Sequence, residues 1–311
     1  MGRTISRRAL SLIFVLFSVT FLTFIVSYLA PGDPVRNMMG GRQDPVRYEF
    51  LRHMYGFDLP WYQQYFNFLW HLLHGNLGYS FKYPERPVWE LIATGVPVSF
   101  KLGLTALLLS IIVGVPAGVF AAVWQNTWRD TSIMGFMLAL YSVPSFVIIP
   151  ILWVIDLALY KAGLPSLPVA GWGTPQQIIL PVLVLAAANS GFIARIMRNS
   201  MLEVMRQDFV RTARAKGLPE RLVIRHHVLR NALLPLLTVL GPALAFLVTG
   251  AFVVENLFAI PGIGYLSVQA IGQRDYPVIQ ATTLLLALAV VMANLVTDLA
   301  YTFADPRVRF E

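Results

Sequence analysis

The sequence predicts an all-α, polytopic integral membrane protein with six transmembrane helices, and three observations predict it. Of 311 residues, 57% are hydrophobic and 13% charged, about half the charged share of an ordinary soluble domain. Six stretches of membrane-crossing length contain no Asp, Glu, Lys or Arg. The cations concentrate in alternate connections between those stretches. Cysteine is absent, which excludes disulfides, thiolate metal sites and cysteine nucleophiles. The aromatic and apolar content excludes a disordered chain.

The stretches are Ala9–Ala30, Leu102–Val123, Ser132–Ile155, Ile178–Ala194, Ala232–Val254 and Val278–Thr297, of 22, 22, 24, 17, 23 and 20 residues. At about 1.5 Å per residue, some 20 helical residues cross a core of about 30 Å. The first follows Arg3, Arg7 and Arg8 as a signal peptide would. Its length exceeds a signal core, however, and Tyr28 stands where cleavage wants a small residue, so we read a retained helix. The second carries Gly114 and Gly118, a spacing that permits close helix approach. The third holds Pro144 and Pro150, and the fifth Pro235 and Pro242; both pairs kink helices and free carbonyls. The fourth, with Pro181 and Asn189, is short, but an even number of spans fits the charges. In the fifth, Gly241 and Ala245 form a second small-residue pair. Packing within one bundle is the simpler account of both pairs, and a subunit interface is the alternative. Asp156 and Asp298 stand near span ends, where interfacial solvation explains them better than an ion relay does.

Residues 1–8, 125–131, 195–231 and 305–311 hold 15 Lys and Arg in 59 residues; the opposite loops 31–96, 159–177 and 255–277 hold 8 in 108. Lys101 can snorkel at a span rim. The positive-inside rule then puts both termini in the cytoplasm. The expected organisation is 1–94 as the first helix plus an extracytoplasmic segment, 95–304 as a five-helix core with a cytoplasmic loop at 195–231, and 305–311 as a cytoplasmic tail. In the segment 31–96, Trp61–Leu73 reads as an amphipathic helix that lies on the membrane surface or covers the bundle.

Catalytic constellations are missing from the sequence. There is no Gly-x4-Gly-Lys-Ser/Thr phosphate loop and no His-Glu-x2-His. His71 and His74 could share a helix face and a metal, but beside Trp70, Leu72 and Leu73 they read as polar positions of an interfacial helix. Gly262-Ile263-Gly264 lacks the third glycine and the strand of a dinucleotide site, and reads as a turn. A protein that moves solute with neither an ion site nor a nucleotide site is driven by another subunit.

The informative segment is 195–231. Met201–Lys216 is rich in helix formers, Gly217 is a natural stop, and Pro219 opens a second helix to Leu229 with Glu220 in its first turn. That helix repeats Leu222, Val223 and Val228 among Arg221, Arg225 and Arg230. At the elbow, Ala213, Ala215 and Gly217 permit close approach of another protein, and Arg211, Arg214 and Lys216 offer it charge. Such an elbow suits mechanical coupling. A plain positive-inside loop touching anionic lipid would explain the cations but not the helix–Gly–helix pattern. Phe209 alone interleaves with the charges, which argues against nucleic acid.

Thr212-Ala213-Arg214-Ala215-Lys216-Gly217-Leu218 and Leu229-Arg230-Asn231-Ala232-Leu233-Leu234-Pro235 resemble the ATPase-docking loop of ABC importer permeases, in the first-type subunit of the dipeptide/oligopeptide branch. Further blocks agree in order along the chain: Pro31-Gly32-Asp33-Pro34, Gly75-Asn76-Leu77-Gly78, Glu255-x2-Phe258-x2-Pro261-Gly262-Ile263-Gly264, Arg274-Asp275-Tyr276-Pro277 and Asp305-Pro306-Arg307. The general permease motif begins Glu-Ala-Ala where this chain has Arg211, Thr212 and Ala213, and its later Leu-Pro is Leu229-Arg230 here. Asn76 stands where the branch often has Asp.

The resemblance implies the type I ABC importer transmembrane fold in a bacterial inner membrane. It implies a homologous second permease, two ATP-binding subunits and an extracytoplasmic substrate-binding protein as partners. ATP and Mg²⁺ would be bound by the ATPases, with no cofactor, metal or catalytic residue in this chain. Arg211, Thr212, Ala213, Arg214, Ala215, Lys216, Gly217 and Leu218 would form or adjoin the coupling helix. Glu255, Phe258, Pro261, Gly262 and Gly264, in the outer loop 255–277, would face the binding protein or dip towards the pathway; a structural re-entrant turn is the equal alternative. Di- or oligopeptides are the implied cargo, with nickel chelates, glutathione or another small solute as alternatives inside the family. An ion-coupled secondary transporter is the alternative outside it. A membrane-embedded enzyme would need convergent acid, base or metal ligands, and only scattered histidines are present.

Overall fold

The computed structural model describes the backbone of residues 2–39 and 44–304, and the side chains of 12–39, 44–236 and 251–297. Among the described residues every regular element is a helix, and the connections hold an isolated antiparallel bridge between Tyr79 and Pro87. The elements are α1 (Gly2–Leu29), α2 (Pro34–Met38), α3 (Pro45–Met54), α4 (Trp61–Leu73), α5 (Val88–Val123), α6 (Trp128–Ser142), α7 (Ser145–Lys161), α8 (Pro175–Met205), α9 (Asp208–Ala215) and α10 (Glu220–Leu222). A π-helical stretch (Val223–Val228) leads without a break into α11 (Leu229–Leu257), followed by α12 (Ile263–Gln273) and α13 (Tyr276–Ala304).

Each apolar stretch of the sequence falls on helix. Leu12–Leu29, Val88–Val123, Pro175–Met205 and Tyr276–Thr297 are long and apolar enough to cross a bilayer. The side chains of Gly241, Pro242, Ala245 and Asp298, and the block Asp305-Pro306-Arg307, lie outside the described residues. The third stretch departs from the expected single helix, because α6 and α7 meet at 99°. Pro144 has no N–H, and its ring drives Val143 to extended backbone (ψ 120°), so α6 ends and Pro144 caps α7. Pro150 is accommodated inside α7. Helices α5, of 36 residues, and α8, of 31, outrun their charge-free windows. Charged side chains near their ends stop an apolar window but not a helix.

The chain forms two compact units: residues up to Ser99 with Pro261–Ala289, and Phe100–Ile260 with the chain from Val290 onward. In the second unit α8 packs against α6, α7 and α11. Every fourth residue of α5 from Ala106 to Ala122 is small and buried: Ala106, Ser110, Gly114, Gly118 and Ala122. A Cβ on Gly114 would stand 2.7 Å from the Ser190 carbonyl oxygen of α8, and one on Gly118 2.5 Å from that of Ala194. The glycine pair thus serves packing inside the chain. On α8, Gly191 permits a second close approach, to α6, where a Cβ would strike the Met137 carbonyl.

In the first unit the ring of Tyr65 on α4 nests among Phe17, Phe21 and Phe24 of α1, 5.2 to 6.0 Å between centroids, with its hydroxyl 3.2 Å from Thr20 Oγ1. A second apolar cluster joins Val88 and Ile92 of α5 to Ile263 and Ala270 of α12 and Val278 and Ala281 of α13. The Ile263 N–H donates to Ser99 Oγ at 2.8 Å, which satisfies one of the orphan donors at the start of α12.

Candidate functional site

The cation-rich segment folds as an elbow in three pieces. The expected helix Met201–Lys216 is interrupted: α8 ends at Met205, Arg206 and Gln207 turn the chain, and α9 begins at Asp208. Gly217 follows at φ +76°, left-handed backbone that a Cβ would strain, with nothing within 4 Å of where that Cβ would be. Pro219 then caps α10, whose first turn holds Glu220. The expected second helix does not stop at Leu229, since the π-helical stretch carries it into α11. The second arm of the elbow is therefore the beginning of a long apolar helix.

One face of α9 is anchored. Val210 and Ala213 are buried in a cluster with Ile193, Met197 and Met201 of α8 and Val223, Val228 and Ala232 beyond the elbow. Ala213 therefore packs inward rather than offering surface. Arg211, Thr212, Ala215, Lys216 and Gly217 are exposed, and Leu218 is half-buried against the same cluster. Arg214 closes the elbow across the glycine: its Nε and Nη2 donate to Glu220 Oε2 and Oε1 at 3.1 and 2.7 Å. Those hydrogen bonds hold the Glu220 carboxyl below its ordinary range. The result is a short helix fixed from beneath, with small and cationic groups outward.

A second ion pair supports the same unit. Arg198 of α8 grips Asp130 of α6 with two parallel bonds, Nε to Oδ1 at 2.7 Å and Nη2 to Oδ2 at 2.6 Å. Asp130 is 4% exposed and also accepts the Asn126 N–H at 3.1 Å. Arg198 follows Met197 of the cluster beneath α9, so the pair ties α6 to the helix on which α9 rests. No sequence signal links residues 68 positions apart. The Arg214–Glu220 pair could have been read from opposite charges flanking Gly217-Leu218-Pro219.

In the first unit three separated sequence blocks meet. The Arg274 guanidinium lies over the Gly32 backbone. The Asp275 carboxylate, 3% exposed, accepts hydrogen bonds from the Ser80 hydroxyl and from the Phe81 and Lys82 N–H groups, the latter at 3.0 and 3.3 Å. Asp33 caps α2 and accepts the Tyr48 hydroxyl at 2.6 Å, which raises the Tyr48 pKa. An open cavity of about 930 Å³ lies here, with Tyr48, Tyr55, Asn67, His71, Asn76 and Tyr276 in its wall.

The expected outer loop 255–277 is mostly helix. Glu255 sits in the last turn of α11, fully buried, and Phe258 is buried just beyond it. The chain turns at Ala259 (φ +51°), and Gly262 caps α12, within which Gly264 is buried. Pro261 is exposed. Asp156 is half-buried and caps a loop through the Leu167 N–H at 2.7 Å. His74 is occupied locally, with Nδ1 2.8 Å from the Trp70 carbonyl and its ring against that indole. Among the described residues no group of three or more His, Asp or Glu is placed to hold a metal.

Comparison with known proteins gives a consistent result. Residues 114–310 match the family model "Binding-protein-dependent transport system inner membrane component", and residues 1–103 match that of its N-terminal part, "Binding-prot-dependent transport system membrane comp, N-term". The chain is 40% identical over 310 residues to the dipeptide transport system permease protein DppB of Lactococcus lactis subsp. cremoris, covering 99% of this chain and 100% of that one. It is 41% identical over 315 residues to the oligopeptide transport system permease protein OppB of Salmonella typhimurium, with both chains covered in full. A structure of the MetNI methionine ABC transporter in an inward-facing conformation matches 69% of this chain and 96% of its own at TM-score 0.57 and 22% identity, a likeness of fold.

Proposed function

Because the chain belongs to the family of binding-protein-dependent transport system inner membrane components, we propose that it forms half of the transmembrane pathway of an ATP-driven importer of di- or oligopeptides. Family membership, with four helices among the described residues long and apolar enough to cross a bilayer and a bent pair besides, makes it a multi-pass inner-membrane protein. The observation that carries the cargo is full-length identity of about 40% to permeases named for dipeptides and oligopeptides. The pathway is completed by a second, homologous permease. Two ATP-binding subunits supply the driving force, and an extracytoplasmic binding protein delivers the peptide.

In this reading α9 is the coupling helix. An ATPase dimer seats on the exposed face at Arg211, Thr212, Ala215, Lys216 and Gly217, while Val210 and Ala213 hold the helix on the chain's own core. When the ATPases close on ATP, the displacement of α9 passes to α8 through the shared cluster and to α6 through the Asp130–Arg198 pair. The permease pair then alternates between inward- and outward-facing states. The chain itself performs no chemistry. Glu255, Phe258, Pro261, Gly262 and Gly264 support the segment between α11 and α12; Pro261, exposed, is the position best placed among them to meet a binding protein.

The test is a bulky side chain on the exposed face of α9. Ala215→Trp sits on regular helix and leaves the left-handed turn alone, so it should preserve membrane insertion and pairing with the second permease. Co-purification of the ATP-binding subunits and peptide uptake should both be lost. Gly217→Trp should do the same, whereas Gly217→Asn, which tolerates left-handed backbone, should retain assembly. Normal ATPase recovery with Ala215→Trp would remove α9 from the docking role.

A further inference from the structure

Helix α4 carries three distinct stripes and no Asp, Glu, Lys or Arg. At about 100° per residue, Tyr65, Phe68 and Leu72 fall on one side, and Tyr65 is 4% exposed against the aromatic rings of α1. Tyr62, Phe66, Trp70 and Leu73 fall on the next side, 47% to 81% exposed. Gln63, Asn67 and His71 fall on the third; all three are exposed, and Asn67 and His71 line the open cavity.

The depth of this helix follows from its partner. Phe17 and Phe24 precede the end of α1 at Leu29 by 12 and 5 residues, about 18 and 8 Å along a helix axis. The α1 segment Leu12–Leu29 is one of those long and apolar enough to cross a bilayer. Tyr65 therefore meets α1 at the level of the hydrocarbon rather than of the headgroups. Phe17, itself 51% exposed, touches Tyr65, and Tyr65 touches Phe66 with ring centroids 6.4 Å apart. The apolar surface of α1 thus continues onto α4.

We infer that α4 is embedded in one leaflet of the bilayer, with Tyr62, Phe66, Trp70 and Leu73 against lipid acyl chains and the Gln63–Asn67–His71 stripe against the water of the cavity. A 13-residue helix is too short to span, and its two unlike exposed faces fit a wall between lipid and an aqueous recess. The uncharged lipid face follows from the cost of taking an ion out of water. The inference concerns the membrane and not the cargo, so it stands whether or not the imported solute is a peptide.

The absence of cysteine lets a single nitroxide be placed in this subunit. Phe66→Cys and Asn67→Cys are to be labelled in the assembled transporter, its partner subunits freed of reactive cysteines, in phospholipid nanodiscs. Power saturation then compares collisions with oxygen, which concentrates in hydrocarbon, and with a water-soluble nickel chelate. Oxygen should dominate at position 66 and the chelate at 67, a reversal across one residue. Chelate dominance at 66 would place that face in water. Low accessibility to both agents at 66 would mean that protein covers it. Either result overturns the inference. Trp70→Cys, on the same stripe, must behave as Phe66→Cys and serves if the latter destabilises the fold.

Discussion

Asp130 shows what burial does to a charge. At 4% exposure it has lost nearly all its water, and two guanidinium bonds with one backbone N–H replace it. Removing one partner of such a pair leaves the other uncompensated, at about 3–5 kcal/mol for a fully buried pair. The Arg198 side chain retains 23% exposure, so the lower end applies. Asp130→Ala should cost about 3 kcal/mol and visibly lower the melting temperature of the detergent-solubilised complex. Replacing both residues, Asp130→Ala with Arg198→Met, should recover most of the loss. A double variant as unstable as the sum of the singles would show that the two side chains act independently. The Arg214–Glu220 pair is more exposed, and comparable variants there should have small effects on stability.

Between α5 and α8 the determining feature is the absence of side chains. With Ala106, Ser110, Gly114, Gly118 and Ala122 on one stripe, the helices approach until a Cβ on Gly118 would sit 2.5 Å from a backbone carbonyl. A carbonyl within a helix cannot swing aside as a side-chain tip can, so the helices must separate. Gly118→Leu should destabilise the fold by about 3 kcal/mol, the upper part of the overpacking range, seen as loss of folded material in size-exclusion chromatography. Gly135→Leu is the control, because nothing lies within 4 Å of its Cβ position on α6, and it should be tolerated. Equal behaviour of the two variants would sink the close-packing account. The small-residue spacing at Gly114 and Gly118 was legible beforehand; the close approach of α8 to α6 at Gly191 was not, because an isolated glycine does not announce which carbonyl will meet it. The bend between α6 and α7 was half legible: Pro144 signals a kink, but 99° depends on where α7 finds its packing.

For the whole molecule, the cation distribution makes a prediction about sidedness. With 15 Lys and Arg in one set of connections and 8 in a set nearly twice as long, the turn at Arg206 belongs in the cytoplasm and the loop at Glu85 outside. Both residues are exposed, so Arg206→Cys and Glu85→Cys should present reactive thiols. In intact cells a membrane-impermeant maleimide should label Glu85→Cys and spare Arg206→Cys until the membrane is opened. The opposite pattern would invert the topology and put the proposed coupling helix beyond the reach of cytoplasmic ATPases.

By itself the sequence determined that the chain is helical and membrane-embedded, where its apolar stretches lie, that an elbow sits at Gly217, and which family the ordered blocks belong to. These are local or compositional properties: an apolar run of given length must satisfy its backbone hydrogen bonds within itself, and a glycine two residues ahead of a proline favours a helix stop and a new helix start. Only the tertiary structure decided that Ala213 faces inward while Ala215 faces out, that α9 is separated from α8, and that Asp130 meets Arg198. It also decided that Asp275 gathers Ser80, Phe81 and Lys82 from 195 positions or fewer away. A charge has no preferred partner in the sequence. Packing supplies the partner, because a buried ion without one is too costly to keep.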